Sequence, residues 1–345
     1  NEVMRTGKYQ NHSITLSGGT DNVSTVFTTN LFSREGTVKS TAFQRLNFSQ
    51  KTQYKPFERL TLNASFSGSF MKSNSLGATS SNRGNGANNR TIFLSSLIAP
   101  PDVPVWNDVT NYYSGITAFR LANPAGVIAR NNGKNNNNNG GNNNVLMMNL
   151  SADLKLTKDL VFTSRFGYRY GINLNSDFIP IYTETSNIAS GNTEVSRTTS
   201  FDKDWTWENM LTFNKKFGVH EISIMGAMSA RDYYYESYYG NKKNLPSEAE
   251  QFRYFDAAAD PNPTLTGSAV AQGMLSYLGR INYNLLDRYL FTASFRADGS
   301  SRFVGSKKWG YFPSGAFAWK VSEEPFFKSI APDWFSTAKF RLGWG

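Results

Sequence analysis

The sequence predicts an all-β fold of one kind, a transmembrane antiparallel β-barrel. Three observations lead there. Apolar and polar residues alternate with period two in about twelve segments, the spacing at which a strand turns successive side chains to opposite faces. The connections between these segments alternate between short and long. No run of about 18 apolar residues occurs, so no transmembrane helix is expected.

Composition agrees with one thin apolar face and one wet face. Across 345 residues the hydrophobic fraction is 39% and the aromatic fraction 14%, with a mean hydropathy of −0.46. A large soluble protein buries a Leu-, Ile- and Val-rich core. Here Phe and Tyr dominate the apolar set, and Asn, Ser, Thr and Gly fill much of the rest. The absence of cysteine excludes disulfides and thiolate metal sites. A net charge of +10 raises nucleic-acid binding, but the basic residues are scattered through turns and polar parities without a compact stripe.

The segments run over 8–18, 24–34, 41–54, 58–71, 145–156, 160–170, 203–214, 219–231, 273–284, 289–298, 309–321 and 336–345. In 58–71, Leu60, Leu62, Ala64, Phe66, Gly68 and Phe70 share one parity, against Thr61, Asn63, Ser65, Ser67 and Ser69. In 160–170, Leu160, Phe162, Phe166, Tyr168 and Tyr170 oppose Thr163, Arg165, Gly167 and Arg169. The hairpin from Ser276 to Phe303 places Tyr277, Ile281, Tyr283, Tyr289, Phe291, Ala293 and Phe295 on one face. Arg280, Asn282, Asn284, Thr292, Ser294, Arg296 and Asp298 take the other.

Short turns follow the odd segments, as "GTDN", "KPF", "TKD", "KKFG" and "LLDR". After the eleventh comes the link "SEEPFFKSIAPDW" on the same side. The other side carries 35–40, long loops at about 72–144, 171–202 and 232–272, and 299–308. Short periplasmic turns opposite long extracellular loops are the signature of an outer-membrane barrel. The apolar parity then faces lipid and the polar parity a wet lumen, with aromatics such as Tyr283 and Tyr289 forming interfacial girdles. A soluble sandwich or propeller would bury a drier, more aliphatic face.

Two stretches, "GRINYNLLDRYLFTASFRADGSSRF" and "WGYFPSGAFAWKVSEEPFF", resemble the SusC/RagA family of TonB-dependent outer-membrane transporters. The residues that carry the likeness are Arg296, Asp298, Gly299, Ser300, Ser301, Arg302 and Phe303, then Trp309 to Ser314, then Ser322 to Glu324. "NHSITLSGGTDNVSTVFTTNLFSREGTV" looks like strands following that family's plug. "APPDVPVWNDVTNYY" with "NPAG" looks like its long early extracellular loop.

The resemblance implies a 22-stranded barrel, of which residues 1–345 are an N-terminal half without plug or TonB-contacting segment. Twelve strands alone would leave two unpaired edges in lipid. It also implies import of an oligosaccharide or oligopeptide energised through TonB, a SusD-like lipoprotein lid, and a dimer of transporter–lipoprotein pairs. A passive porin, a secretion-associated barrel and a secreted β-rich enzyme are the alternatives. No paired-carboxylate site supports the last.

Catalytic, cofactor and metal sites are not expected. His12 and His220 fall near strand starts and read as rim residues. Glu250, Asp256 and Asp260 sit in a long loop without EF-hand spacing. "NNGKNNNNNGGNNN", Asn131 to Asn144, reads as a polar loop tip. In "RDYYYESYYG", Tyr233, Tyr234, Tyr235, Tyr238 and Tyr239 run from a strand top into a loop. They offer flat faces to the lipid interface or to sugar and peptide ligands. Arg296, Asp298, Gly299, Ser300, Arg302 and Phe303 read as a clamp that opens a turn and ties it to neighbouring strands, with ligand or lid contact as the alternative.

Overall fold

The structure, a computed structural model, describes residues 2–74, 76, 89–109, 111–116, 122–131, 139–185, 188–332 and 334–345. Its strands are β1 (Tyr9–Gly19), β2 (Val23–Glu35), β3 (Ala42–Phe57), β4 (Leu60–Asn74), β5 (Trp106–Asn107), β6 (Tyr112–Tyr113), β7 (Asn139–Lys155) and β8 (Leu160–Ile179). They continue as β9 (Tyr182–Thr185), β10 (Ile188–Ser190), β11 (Glu194–Phe217), β12 (His220–Lys243), β13 (Thr264–Leu285), β14 (Tyr289–Ser300), β15 (Trp309–Trp319) and β16 (Phe340–Trp344). Three short helices, α1 (Asn89–Ile98), α2 (Pro124–Asn131) and α3 (Pro325–Ile330), lie in the connections.

One 12-stranded antiparallel sheet runs β1-β2-β3-β4-β7-β8-β11-β12-β13-β14-β15-β16. Each large-sheet strand therefore pairs with its sequence neighbours, as an up-and-down barrel wall requires. The predicted faces hold. Along one register row Leu62, Ala152, Met228 and Tyr277 share the outward face, interrupted by Ser164 and Asn209, and Ile224 pairs with Ile281 as Met225 pairs with Arg280. Outward apolar side chains remain exposed, among them Leu16 (62%), Ile281 (47%) and Phe295 (50%). Exposure of this size over a whole face is expected where the solvent is lipid.

Buried apolar clusters lie instead in the connections and at the strand ends beside them. Leu76, Ile92, Ala122, Val127 and Ile128 form one, with Val3 and Val38 packed against it. Phe178, Val195, Leu245 and Ala258 form the other, with Phe255 against it.

The strands outrun the alternation that predicts them. β4 reaches Asn74 and β7 starts at Asn139; β8 reaches Ile179 and β11 starts at Glu194; β12 reaches Lys243 and β13 starts at Thr264. The connections are thus 75–138, 180–193 and 244–263, narrower than the expected 72–144, 171–202 and 232–272. Above the membrane neither face meets lipid, so side-chain alternation lapses while backbone pairing continues. Of the Asn-rich run, 132–138 lie outside the described residues, and Asn142 pairs with both Lys72 and Leu174 inside the sheet.

Turn chemistry closes the other rim. Leu286 (φ 58°) and Asp287 (φ 56°) occupy consecutive left-handed positions, and the Arg288 amide donates to the Leu285 carbonyl at 3.0 Å. Two positive φ values at the centre of a two-residue loop define a type I′ hairpin turn, whose twist matches the strands. Gly218 (φ 55°) serves the β11–β12 turn.

Candidate functional site

The inward wall is built from amides, hydroxyls and charge pairs. Gln53 Nε2 donates to Asn63 Oδ1 (3.0 Å), and Asn63 Nδ2 donates to Ser151 Oγ (3.1 Å). Ser69 Oγ donates to Asn47 Oδ1 (2.8 Å), and Thr163 Oγ1 to Asp153 Oδ1 (2.7 Å). A cavity of about 570 Å³ opens on this wall, lined by Lys51, Gln53, Asn63, Asn149, Arg165 and Glu208 among others. Arg165 faces Glu208 across the β8–β11 ladder.

Higher on the wall, Arg169 pairs with Asp202, and Arg231 binds Asp204 through two bonds of 2.9 and 2.6 Å. Planar bidentate pairs of this kind are the stronger class of ion pair. Such a wall presents fixed donors and acceptors to a polar solute, with these two charge pairs holding each other in place.

The five tyrosines lie within β12, not in a loop. Parity divides them. Tyr233, Tyr235 and Tyr239 share the face of Arg231 and Ser229, toward the lumen. Tyr234 and Tyr238 share the outward face of Ile224 and Met228, with Glu236 between them. Tyr238 OH donates to Glu236 Oε1.

The "RADGSSRF" motif resolves into separate tasks. Arg296 Nε bonds both oxygens of Asp298 at 2.8 Å, and Ser276 of β13 adds a hydrogen bond to that carboxylate. The pair lies along one strand, so the cross-strand tie is the Ser276 bond. Gly299 does not open a turn; it is a strand residue opposite Trp309. A Cβ there would lie 3.0 Å from the indole ring, which explains why glycine stands under it. The chain leaves the ladder at Ser301. Arg302 makes no ion pair among the described residues. The Arg302 amide donates to Ser300 Oγ at 3.3 Å, and Phe303 is 57% exposed.

"NPAG" is decoded by its surroundings. Asn123 Oδ1 accepts the Ala125 and Gly126 amides (2.9 and 3.4 Å), capping α2. Its Nδ2 donates to the Val105 and Ser114 carbonyls (3.1 and 2.8 Å), which flank the β5–β6 hairpin. Its amide donates to Glu184 Oε2 at 2.6 Å. A Cβ on Gly126 would come 2.5 Å from Glu184 Oε1.

Arg130 of α2 pairs with Glu184 and lies 3.9 Å from the Tyr182 ring centroid. Burial works against charge on Arg130, but the Glu184 carboxylate outweighs it and holds the guanidinium charged. Two connections separated widely in sequence are thereby locked together. Asn123 is signalled by its helix-capping motif; Glu184 and Arg130 carry no local sequence signal.

At the opposite rim Glu324 joins three groups: Tyr289 OH (2.6 Å), Trp319 Nε1 (3.0 Å) and Arg288 Nη1 (3.1 Å). His220 belongs to that rim, its Nδ1 2.7 Å from Tyr283 OH and its ring stacked on Phe217. His12, the fourth residue of β1, instead shares the outward parity of Ile14 and Leu16. In the 244–263 connection Asp260 accepts the Lys243 and Asn262 amides, both at 2.9 Å.

No protein-family model matches the chain. Over the whole chain it is 24% identical, across 349 aligned positions, to the TonB-dependent receptor P3 of Formosa agariphila, covering 33% of that protein. Over 80 residues, 23% of the chain and 8% of the relative, it is 51% identical to the TonB-dependent receptor SusC of Bacteroides thetaiotaomicron. The RagAB peptide importer in its open-open state superposes on 99% of the chain and 36% of its own, with a TM-score of 0.77 at 16% identity. The chain is similar in sequence to TonB-dependent receptors, SusC among them, and in fold to the RagAB importer.

It spans about a third of the length of the relatives that match it end to end. Its 12-stranded sheet is outer-membrane barrel wall.

Proposed function

We propose that this chain forms part of an importer that carries an oligosaccharide or oligopeptide across the outer membrane. Energy comes through TonB, and a SusD-like surface lipoprotein closes the extracellular mouth. The inward wall carries the reading: amide–hydroxyl chains and the charged side chains Lys51, Arg165 and Glu208 line a cavity of about 570 Å³ beneath locked extracellular connections. Hydrogen-bonding groups held in place favour a solute rich in hydroxyls or amides over an apolar one. The names of SusC and of the RagAB peptide importer support the same reading.

In this reading Tyr233, Tyr235 and Tyr239 touch the passing solute, whereas Tyr234 and Tyr238 do not. The test is uptake of labelled maltodextrin-type oligosaccharides and mixed oligopeptides by cells carrying the full-length transporter. Uptake of one class should collapse when TonB is deleted. Tyr235→Ala with Tyr239→Ala should reduce it severalfold, and Tyr234→Ala with Tyr238→Ala should leave it unchanged. Uptake indifferent to TonB would instead describe a passive porin.

A further inference from the structure

The β14–β15 connection differs from its neighbours in height. β14 has 12 residues, about 37 Å of strand and roughly 26 Å along the membrane normal at a tilt of about 45°. That equals the apolar band of an outer-membrane barrel, about 25 Å. Its outward row is Tyr289, Phe291, Ala293, Phe295, Ala297 and Gly299. On β15 the row is Trp309, Tyr311, Pro313, Gly315, Phe317 and Trp319. No charge interrupts either. Ring stacks end the band at both levels, Tyr289 with Trp319 (6.4 Å) and Tyr277 with Trp309 (6.0 Å). Residues 301–308 therefore leave the wall where headgroups begin. β11 and β12, with 24 residues each, carry the connections 180–193 and 244–263 far above that level.

The composition of 301–308 suits that position. Arg302, Lys307 and Lys308 are exposed cations, and no acidic residue lies between Gly299 and Gly310. None of the three makes an ion pair among the described residues. The nearest carboxylate in sequence, Asp298, is held by Arg296. Beside the cations Phe303 and Val304 are 57% and 82% exposed. Free cations next to exposed apolar side chains match a lipid boundary, where acyl chains and phosphates meet.

We propose that this loop binds the phosphate groups of an outer-leaflet glycolipid. Phe303 and Val304 enter the acyl boundary, and Arg302, Lys307 and Lys308 hold the phosphates. Arginine supplies a planar fork for phosphate oxygens and the lysines supply point charges. The loop then fixes the barrel's depth and recruits a boundary lipid beside the mouth.

The test uses the purified full-length transporter, stripped of lipid in non-ionic detergent, and the variant R302A/K307A/K308A. Three probes are titrated: a bisphosphorylated diglucosamine glycolipid, its dephosphorylated form, and inorganic phosphate. Binding is followed by tryptophan fluorescence and by the temperature at which the barrel loses its folded electrophoretic migration. The phosphorylated glycolipid should bind and protect, and the other two should not. At roughly fivefold per cation, the triple variant should bind about 100-fold more weakly.

Removing Lys158 and Lys216, on the opposite rim, should change nothing. If the triple variant does not fold, K307Q/K308Q should lose about 25-fold by the same reasoning. Equal binding by parent and variant, or equal response to the dephosphorylated glycolipid or to inorganic phosphate, overturns the proposal. So does loss of a surface lipoprotein from the variant with glycolipid binding intact.

Discussion

Ser301 closes the β13–β14 ladder onto Gly273 from both sides. Its amide donates to the Gly273 carbonyl at 2.9 Å, and its hydroxyl accepts the Gly273 amide at 2.8 Å. Below this point β13 has partners on both edges. Above it, Thr264 to Gln272 pair only with β12. One hydroxyl thus marks where the wall narrows from a sheet to a free-standing ribbon.

Ser301→Ala should unfasten that junction. One exposed hydrogen bond contributes about 1 kcal/mol, so global stability should fall only slightly. Amide exchange should accelerate at Gly273 and along 264–272 while 275–285 stays protected. Unchanged exchange at Gly273 would show that water substitutes for the hydroxyl.

Register sets a larger effect. Ile281 faces outward and is 47% exposed, while Asn282 faces the lumen and binds Thr292 Oγ1 at 3.0 Å. Ile281→Arg puts a charge in lipid at a cost of about 2–4 kcal/mol near mid-depth. Asn282→Arg meets water. The yield of folded, heat-modifiable barrel in the outer membrane should drop for the first and hold for the second. Equal yields would overturn this register, and the reverse order would mean that the faces are assigned the wrong way round.

The Leu285–Arg288 turn contains a correctable strain. A left-handed conformation costs a residue with a Cβ roughly 1–2 kcal/mol, and Leu286 is 44% exposed, so little burial is lost on replacement. Leu286→Asn should raise stability by about 1 kcal/mol, read as a higher urea midpoint. A lower midpoint would mean that the leucine anchors the turn in the interface.

Glu324 predicts a pH dependence. Its hydrogen bond from Tyr289 leads, followed by that from Trp319 and the charge of Arg288, and together they outweigh desolvation and depress its pKa. A carboxylate with a depressed folded pKa stabilises the fold above its unfolded pKa, about 4.3. That contribution is lost as pH falls through the lower folded value. Trp319 fluorescence should stay constant down to about pH 4.3 and change below it. Glu324→Gln should abolish the transition. A transition that persists in the variant would assign it to another carboxylate.

Inside the lipid band, sequence alone determined the wall. Lipid on one side and water on the other impose opposite chemistry on successive residues, so Leu60 to Phe70 and Tyr289 to Asp298 declare their faces without a partner in view. Beyond the band that constraint ends. Only the tertiary structure showed that Tyr233 to Tyr239 continue a strand, that Gly299 lies under Trp309, and that Glu184 locks Arg130 and Asn123. Those contacts join residues up to 61 apart in sequence. The chain's periodicity carries no trace of them, because a specific ion pair or a ring over a glycine depends on where two connections meet in space.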